Sequence, residues 1–128
     1  MVVVDTSAIV AVLRADPPVP ELDARLSGPT LHAPYLIDVE FLHVIRRLLS
    51  WGRLSLTDAD RARAEFAALV IVRHPHRPLM ERMWELRDNL TAYDAAFVAL
   101  SEVLDVPLIT TDARLAAAPG NRAVIEAH

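Results

Sequence analysis

Four acidic residues stand where a carboxylate is unusual. Asp5 follows directly on the apolar run Val2-Val3-Val4, and Asp112 follows Leu108-Ile109-Thr110. In an open parallel sheet, ligands bind beyond the carboxyl ends of the strands, so two carboxylates at two such ends mark a candidate site. Each alone is equally well read as a helix N-cap, worth about 1 kcal/mol. Glu40 is more telling. On a helical wheel it falls inside the apolar arc of Leu36, Ile37, Val44 and Trp51. A glutamate on a buried stripe is costly unless something compensates it; the local alternative is an ion pair with Arg47, two turns on. Asp94 stands near the start of an otherwise apolar segment, Ala92-Tyr93-Asp94-Ala95-Ala96-Phe97-Val98-Ala99-Leu100. It has capping-box spacing from Thr91, although Glu or Gln is the usual partner there.

The combination outweighs its members. Four carboxylates gathered at one end of a sheet repel one another and raise each other's pKa, and a divalent cation relieves that repulsion. With oxygen ligands only, Mg²⁺ or Mn²⁺ suits better than Zn²⁺. Such a site activates water and stabilises charge on a phosphodiester under in-line attack. Thr6, Ser7 and Thr111 flank the acids as supporting polar groups, with helix capping as their equal alternative. Arg46, Arg47 and Arg114 are candidates for phosphate contacts, since they lie near these acids in sequence. Arg73-His74-Pro75-His76-Arg77 reads as a solvated loop, and Trp51 and Trp84 as core or dimer surface more readily than as base-stacking groups.

To position these residues the chain must alternate strands and helices. A length of 128 residues suits one domain, residues 1–128. Expected strands are Val2–Val4, Leu31–Ala33, Val70–Val72, Leu108–Thr110 and Val124-Ile125. Expected helices are Thr6–Arg14, Glu21–Ser27, Leu36–Trp51 ended by Gly52, a helix capped by Thr57 and running to about Leu69, Pro78 to about Arg87, Ala92–Leu104, and Ala113–Ala117. This βα alternation predicts an α/β fold with a mostly parallel central sheet.

Composition excludes several chemistries. There is no cysteine, hence no disulfide, thiolate site or cysteine nucleophile. All 13 basic residues are arginine, which removes the lysine that a P-loop, a Schiff-base enzyme or a phospho-accepting receiver module requires. A dehalogenase-like phosphatase would want an aspartate where Ser7 stands. The net charge of −4 argues against a surface that coats nucleic acid but leaves room for a local basic track. No basic leader or long apolar segment precedes Asp5, so a cytoplasmic location without membrane association is expected.

Val3-Val4-Asp5-Thr6-Ser7-Ala8, Val39-Glu40 with Val44-Ile45-Arg46-Arg47, Thr91-Ala92-Tyr93-Asp94-Ala95-Ala96 and Leu108-Ile109-Thr110-Thr111-Asp112 resemble the successive motifs of PIN domains, in order and over nearly the whole chain. The compact length is similar to VapC toxins. The resemblance implies a three-layer α/β/α PIN-like fold and Mg²⁺-dependent endoribonuclease activity, with Mn²⁺ substituting. Asp5 and Asp94 would be the principal metal ligands and catalytic residues, with Glu40 and Asp112 completing the cluster. It further implies an RNA substrate (tRNA, rRNA or mRNA) and a cognate VapB-like antitoxin of a type II toxin–antitoxin system; a homodimer is also expected. One departure from the pattern is Ala116-Ala117-Ala118, where some PIN domains carry a further acid that would help hold a second metal. A catalytically silent PIN scaffold that only binds a partner is the alternative.

Overall fold

The computed structural model describes residues 1–128. Its five strands are β1 (Val2–Val4), β2 (Leu31–Pro34), β3 (Ile71–His74), β4 (Leu108–Thr110) and β5 (Ile125–Ala127). They form one sheet in the order β3-β2-β1-β4-β5, with every neighbouring pair parallel. Parallel neighbours need long crossovers. These are supplied by α1 (Thr6–Arg14), α2 (Pro20–Ser27), α3 (Leu36–Ser50), α4 (Leu56–Ala68), α5 (Met80–Glu85, entered through a 3₁₀ turn at Arg77–Leu79), α6 (Ala92–Leu104) and α7 (Ala113–Ala117).

The central strand β1 is three valines, all buried, as a strand covered on both faces must be. On one side α6 lies across β1, β2 and β4, and its residues Ala95 to Ser101 are buried without interruption. On the other, α1, α3 and α4 pack on one another, with the Phe41 and Phe66 rings stacked 4.0 Å apart between α3 and α4. Helix α7 sits beside β4 and β5. These are the three layers expected.

Chain direction creates a crevice. From β1 the chain steps outward to β2 and β3, then returns to place β4 on the opposite side of β1. The strand order therefore reverses between β1 and β4, the kind of switch point at which open sheets bind ligands. The register Val4↔Ile109, extended by the Asp5 amide donating to the Ile109 carbonyl at 2.9 Å, sets Asp5 beside Thr110.

Several expected boundaries move. The third strand is Ile71–His74 and not Val70–Val72: Val70 is exposed, while Arg73 and His74, expected in a loop, belong to the strand. There Arg73 forks onto Asp38 of α3, and His74 Nε2 lies 2.9 Å from His32 Nδ1 on β2. Helix α4 is capped by Ser55, whose hydroxyl accepts from the Asp58 amide, so Thr57 is already helical. The expected Pro78–Arg87 helix is shorter, because its first turn is 3₁₀. The last strand shifts to Ile125–Ala127, where Glu126 is tied to Arg25 by two hydrogen bonds. Gly52 does take the left-handed conformation just past α3, at φ +68°.

The apolar arc of α3 is also rotated from the one the sequence suggests. Its buried residues are Ile37, Phe41, Ile45 and Leu48, while Trp51 is 55% exposed. Glu40 stands at the border of this stripe, partly buried. Arg47 is no partner for it; that guanidinium lies 4.5 Å from the Trp51 ring centre.

Candidate active site

A cleft of about 580 Å³ opens at the carboxyl ends of β1 and β4, and Asp5, Glu40, Asp94 and Asp112 all line it. Thr6, Ser7 and Thr111 line it as well. Four separate segments are needed to bring these acids together: the β1–α1 junction, the middle of α3, the first turn of α6 and the β4–α7 junction.

Asp5 is the most enclosed, at 7% exposure. It stands at the N-cap of α1, yet its side chain caps nothing. Its Oδ2 instead accepts from Ser7 Oγ at 2.8 Å and from Thr110 Oγ1 at 2.8 Å. With both hydroxyl hydrogens committed to Asp5, Ser7 Oγ accepts from the Thr111 amide and Thr110 Oγ1 from the Asp112 amide. The 3.2 Å approach between the two hydroxyl oxygens is then a contact without a hydrogen of its own. Burial pushes the Asp5 carboxyl above the usual aspartate range; the Thr110 and Ser7 hydroxyls and the Thr6 amide act the other way, and the Asp112 charge adds to the rise.

Glu40 Oε1 accepts from Thr6 Oγ1 at 2.8 Å, which leaves Oε2 without a protein donor. Its carboxyl is also raised, first by burial, with Thr6 opposing and the Asp5 and Asp94 charges adding. Asp94 lies in the first turn of α6, where the Thr91 hydroxyl caps the helix by accepting from the Asp94 amide at 3.2 Å. Burial raises its carboxyl, and the charges of Asp5 and Asp112 raise it further. The three acids therefore lie in one another's field, and none of them has an ion-pair partner.

Asp112 differs. Its side chain caps α7 by accepting from the Arg114 amide at 2.9 Å and is gripped by the Arg114 guanidinium, which holds its carboxyl below the usual range. The Arg114 side chain is 91% exposed, and an ion pair with so exposed a partner is worth little. The Arg114 side chain can therefore swing away at small cost. In the present arrangement no three acidic or histidine side chains close into a cage around an ion.

The donor set nonetheless fits a hard divalent cation. It is made of oxygens only, three of its carboxylates are raised in pKa and have no ion-pair partner, and Glu40, with only one oxygen hydrogen-bonded, lines the open cleft. A cation there would offset the burial that chiefly raises these carboxyls, and with it the smaller mutual repulsion that adds to the rise.

Arg46 and Arg47 lie on the exposed side of α3 and do not line the cleft; Arg14, Asp16 and His128 do, and none of these was singled out from the sequence. Thr110, fully buried between Asp5 and Asp112, was passed over in favour of its neighbour Thr111. Strand alternation could have marked one of the two threonines as inward, but only the register with β1 says which.

A PIN domain family profile matches residues 2–121. Ribonuclease VapC9 of Mycobacterium tuberculosis is 43% identical over 115 residues, which cover 90% of this chain and 88% of that protein. Ribonuclease VapC12 of the same organism is 39% identical over 126 residues, 98% of each. Among solved structures, PAE2754 from Pyrobaculum aerophilum superposes with a TM-score of 0.71 at 20% identity, over 97% of this chain and 81% of that one. Mycobacterium tuberculosis VapC20, described as a sarcin-ricin loop cleaving toxin, superposes with a TM-score of 0.68 at 20% identity, over 97% and 98%. The profile match over most of the chain, with relatives well above 30% identity along almost their full length, shows that this chain belongs to the PIN-domain family, among its VapC ribonucleases.

Proposed function

We propose that this chain is a divalent-metal-dependent endoribonuclease and the toxin of a type II toxin–antitoxin pair, acting as one domain over residues 1–128. The observation that carries the mechanism is the trio of Asp5, Glu40 and Asp94, raised in pKa and without ionic partners, at the sheet's switch point. The relatives' name, ribonuclease, carries the substrate class.

Asp5, Glu40 and Asp94 would hold the ion, joined by Asp112 once Arg114 releases it. Mg²⁺ is the expected ion, with Mn²⁺ able to replace it. When bound, the ion supplies counter-charge to the phosphodiester and an acidified water for in-line attack. The protein's own groups prepare the site. Ser7 and Thr110 fix the Asp5 carboxylate in one orientation, so its outward oxygen is aimed without reorganisation. Thr6 does the same for Glu40 and links α1 to α3. The freed Arg114 guanidinium would contact the RNA phosphate, whereas Arg46 and Arg47, on the exposed side of α3, would meet only more distant phosphates. The RNA would be a tRNA, rRNA or mRNA, the inhibitor a VapB-like antitoxin, the active form a homodimer and the place of action the cytoplasm. No helix is long and apolar enough to cross a membrane.

The test is RNA cleavage under stepwise Mg²⁺ or Mn²⁺ titration after chelation, with Asp5→Asn and Asp94→Asn alongside. Cleavage should appear only with metal, and each variant should lose it by at least a hundredfold, on the order of a lost charge-stabilising group, with the circular dichroism spectrum unchanged. Cleavage by either variant at the wild-type rate would show that the metal site has been misplaced.

A further inference from the structure

The acidic cleft has a basic end. Arg14, the last residue of α1, lines it together with Asp5 and Glu40, and its Nη2 donates to the Arg53 carbonyl at 2.9 Å. The Arg53 guanidinium lies 5.6 Å from the centre of the Trp51 ring, and that of Arg47 lies 4.5 Å from it. Leu48, one turn before Trp51, lines the same cleft. A continuous path thus runs from the carboxylates through Arg14 to an indole that is 55% exposed.

Seven of the 13 arginines form ion pairs with carboxylates; Arg14, Arg47 and Arg53 form none. Asp16 also lines the cleft but does not pair with Arg14. The C-terminal carbonyls of α1 and α3 attract cations, and a guanidinium gains from an indole face. Those effects place one or two arginines. They do not explain three gathered side by side without a counter-ion, in a protein of net charge −4, where like charges repel.

We propose that Arg14, Arg47, Trp51 and Arg53 form a subsite for the single-stranded RNA flanking the bond to be cut. The guanidiniums take phosphates, and Trp51 with its arginine partners offers a stacking surface to an unpaired base. Guanidiniums suit phosphate geometry, and base stacking on an aromatic ring tolerates any sequence. Continuity with the cleft and the exposed indole favour RNA over an acidic protein segment, which would satisfy the arginines alone. The inference rests on the ribonuclease reading and extends it by giving the strand a direction, away from Asp5 past the C-terminal ends of α1 and α3.

The test is fluorescence anisotropy with a labelled single-stranded RNA of about 12 nucleotides, in EDTA, over a range of salt, a length chosen to fill one typical strand-binding site. Replacing Arg14, Arg47 and Arg53 together by Gln should weaken binding at least tenfold. It should also reduce the slope of log affinity against log salt by about 2, because each single-strand phosphate contact contributes about 0.7. The matching Lys replacements should keep most of the slope, which separates lost charge from misfolding. Trp51→Leu should weaken binding about tenfold on RNA and not at all on an abasic strand. If the wild type binds and, with Mn²⁺, cuts RNA while the Gln variant does both equally well, the subsite is wrong and the ribonuclease reading stands. If the wild type neither binds nor cuts RNA, both fall. Intact RNA affinity with loss of an acidic partner protein would also overturn the proposal, in favour of protein docking.

Discussion

At Asp5, burial opposes the charge that the site requires. The raised carboxyl means that the fold without metal disfavours the ionised form. This cost is absent below the ordinary aspartate range and grows as pH climbs through the raised value. Asp5→Asn should therefore melt at or above the wild-type temperature in EDTA at pH 7.5, with the advantage shrinking toward pH 4; a scanning-fluorimetry pH series reads it. Thr110 presents the opposite case. Its hydroxyl is fully buried and donates to that carboxylate while accepting the Asp112 amide. Thr110→Val should cost about 2 kcal/mol, as for a buried hydrogen bond to a charged group, and should lower cleavage without abolishing it. Denaturant melts and initial rates would check both effects. The acids were legible as residue types in odd places, but the residue that orients Asp5 was not. Thr110 and Thr111 look alike until β4 is set beside β1.

At the level of elements, long periodic helices were the most legible: α1, α3 and α6 keep the limits that periodicity and glycine placement suggest, to within a residue. What stayed hidden was local support from distant chain. The residue before α3, Tyr35, offers no capping side chain, and the first amide of the helix, Leu36, donates to His76 Nε2 at 2.9 Å. His76 stands 40 residues away in a stretch that reads as solvated loop. The same stretch holds Arg73, forked onto Asp38 in the first turn of α3. A run of arginine and histidine is thereby turned into the fastening for the helix that carries Glu40. His76→Ala should cost about 1 kcal/mol, as for loss of an N-cap, and should reduce hydrogen-exchange protection in the first turns of α3 more than in α6. Equal protection in both variants would deny His76 that role.

For the whole molecule, the most enclosed ion pair lies outside the cleft. Glu102 on α6, its side chain 4% exposed, takes both Arg82 Nε and Nη2, and also the Arg122 amide. Arg82 further reaches the Gly120 carbonyl, so this cluster fastens the segment leading into β5. Burial would raise the Glu102 carboxyl, but Arg82, the Arg122 amide and both guanidinium charges bring it below the usual range. Its contribution is therefore present above the ordinary glutamate range and lost as pH falls through the lowered value. Arg82→Ala, which leaves Glu102 with only the Arg122 amide and its more distant guanidinium, should cost about 2 kcal/mol at neutral pH, as for hydrogen bonds to a charged group, and adding Glu102→Gln should restore part of it in urea melts. The sheet order has a consequence of another kind, in time rather than in space. Asp5 is made 105 residues before its partner Thr110, which follows only after β2 and β3 have been laid down on the other side of β1. A nascent chain that has not yet released β4 from the ribosome has an open edge on β1 and a cleft without Thr110, Thr111 and Asp112. Until β4 is in place, Asp5 has neither the Thr110 hydroxyl that orients it nor the fourth acid beside it, so the cleft is the last part of the sheet to be assembled.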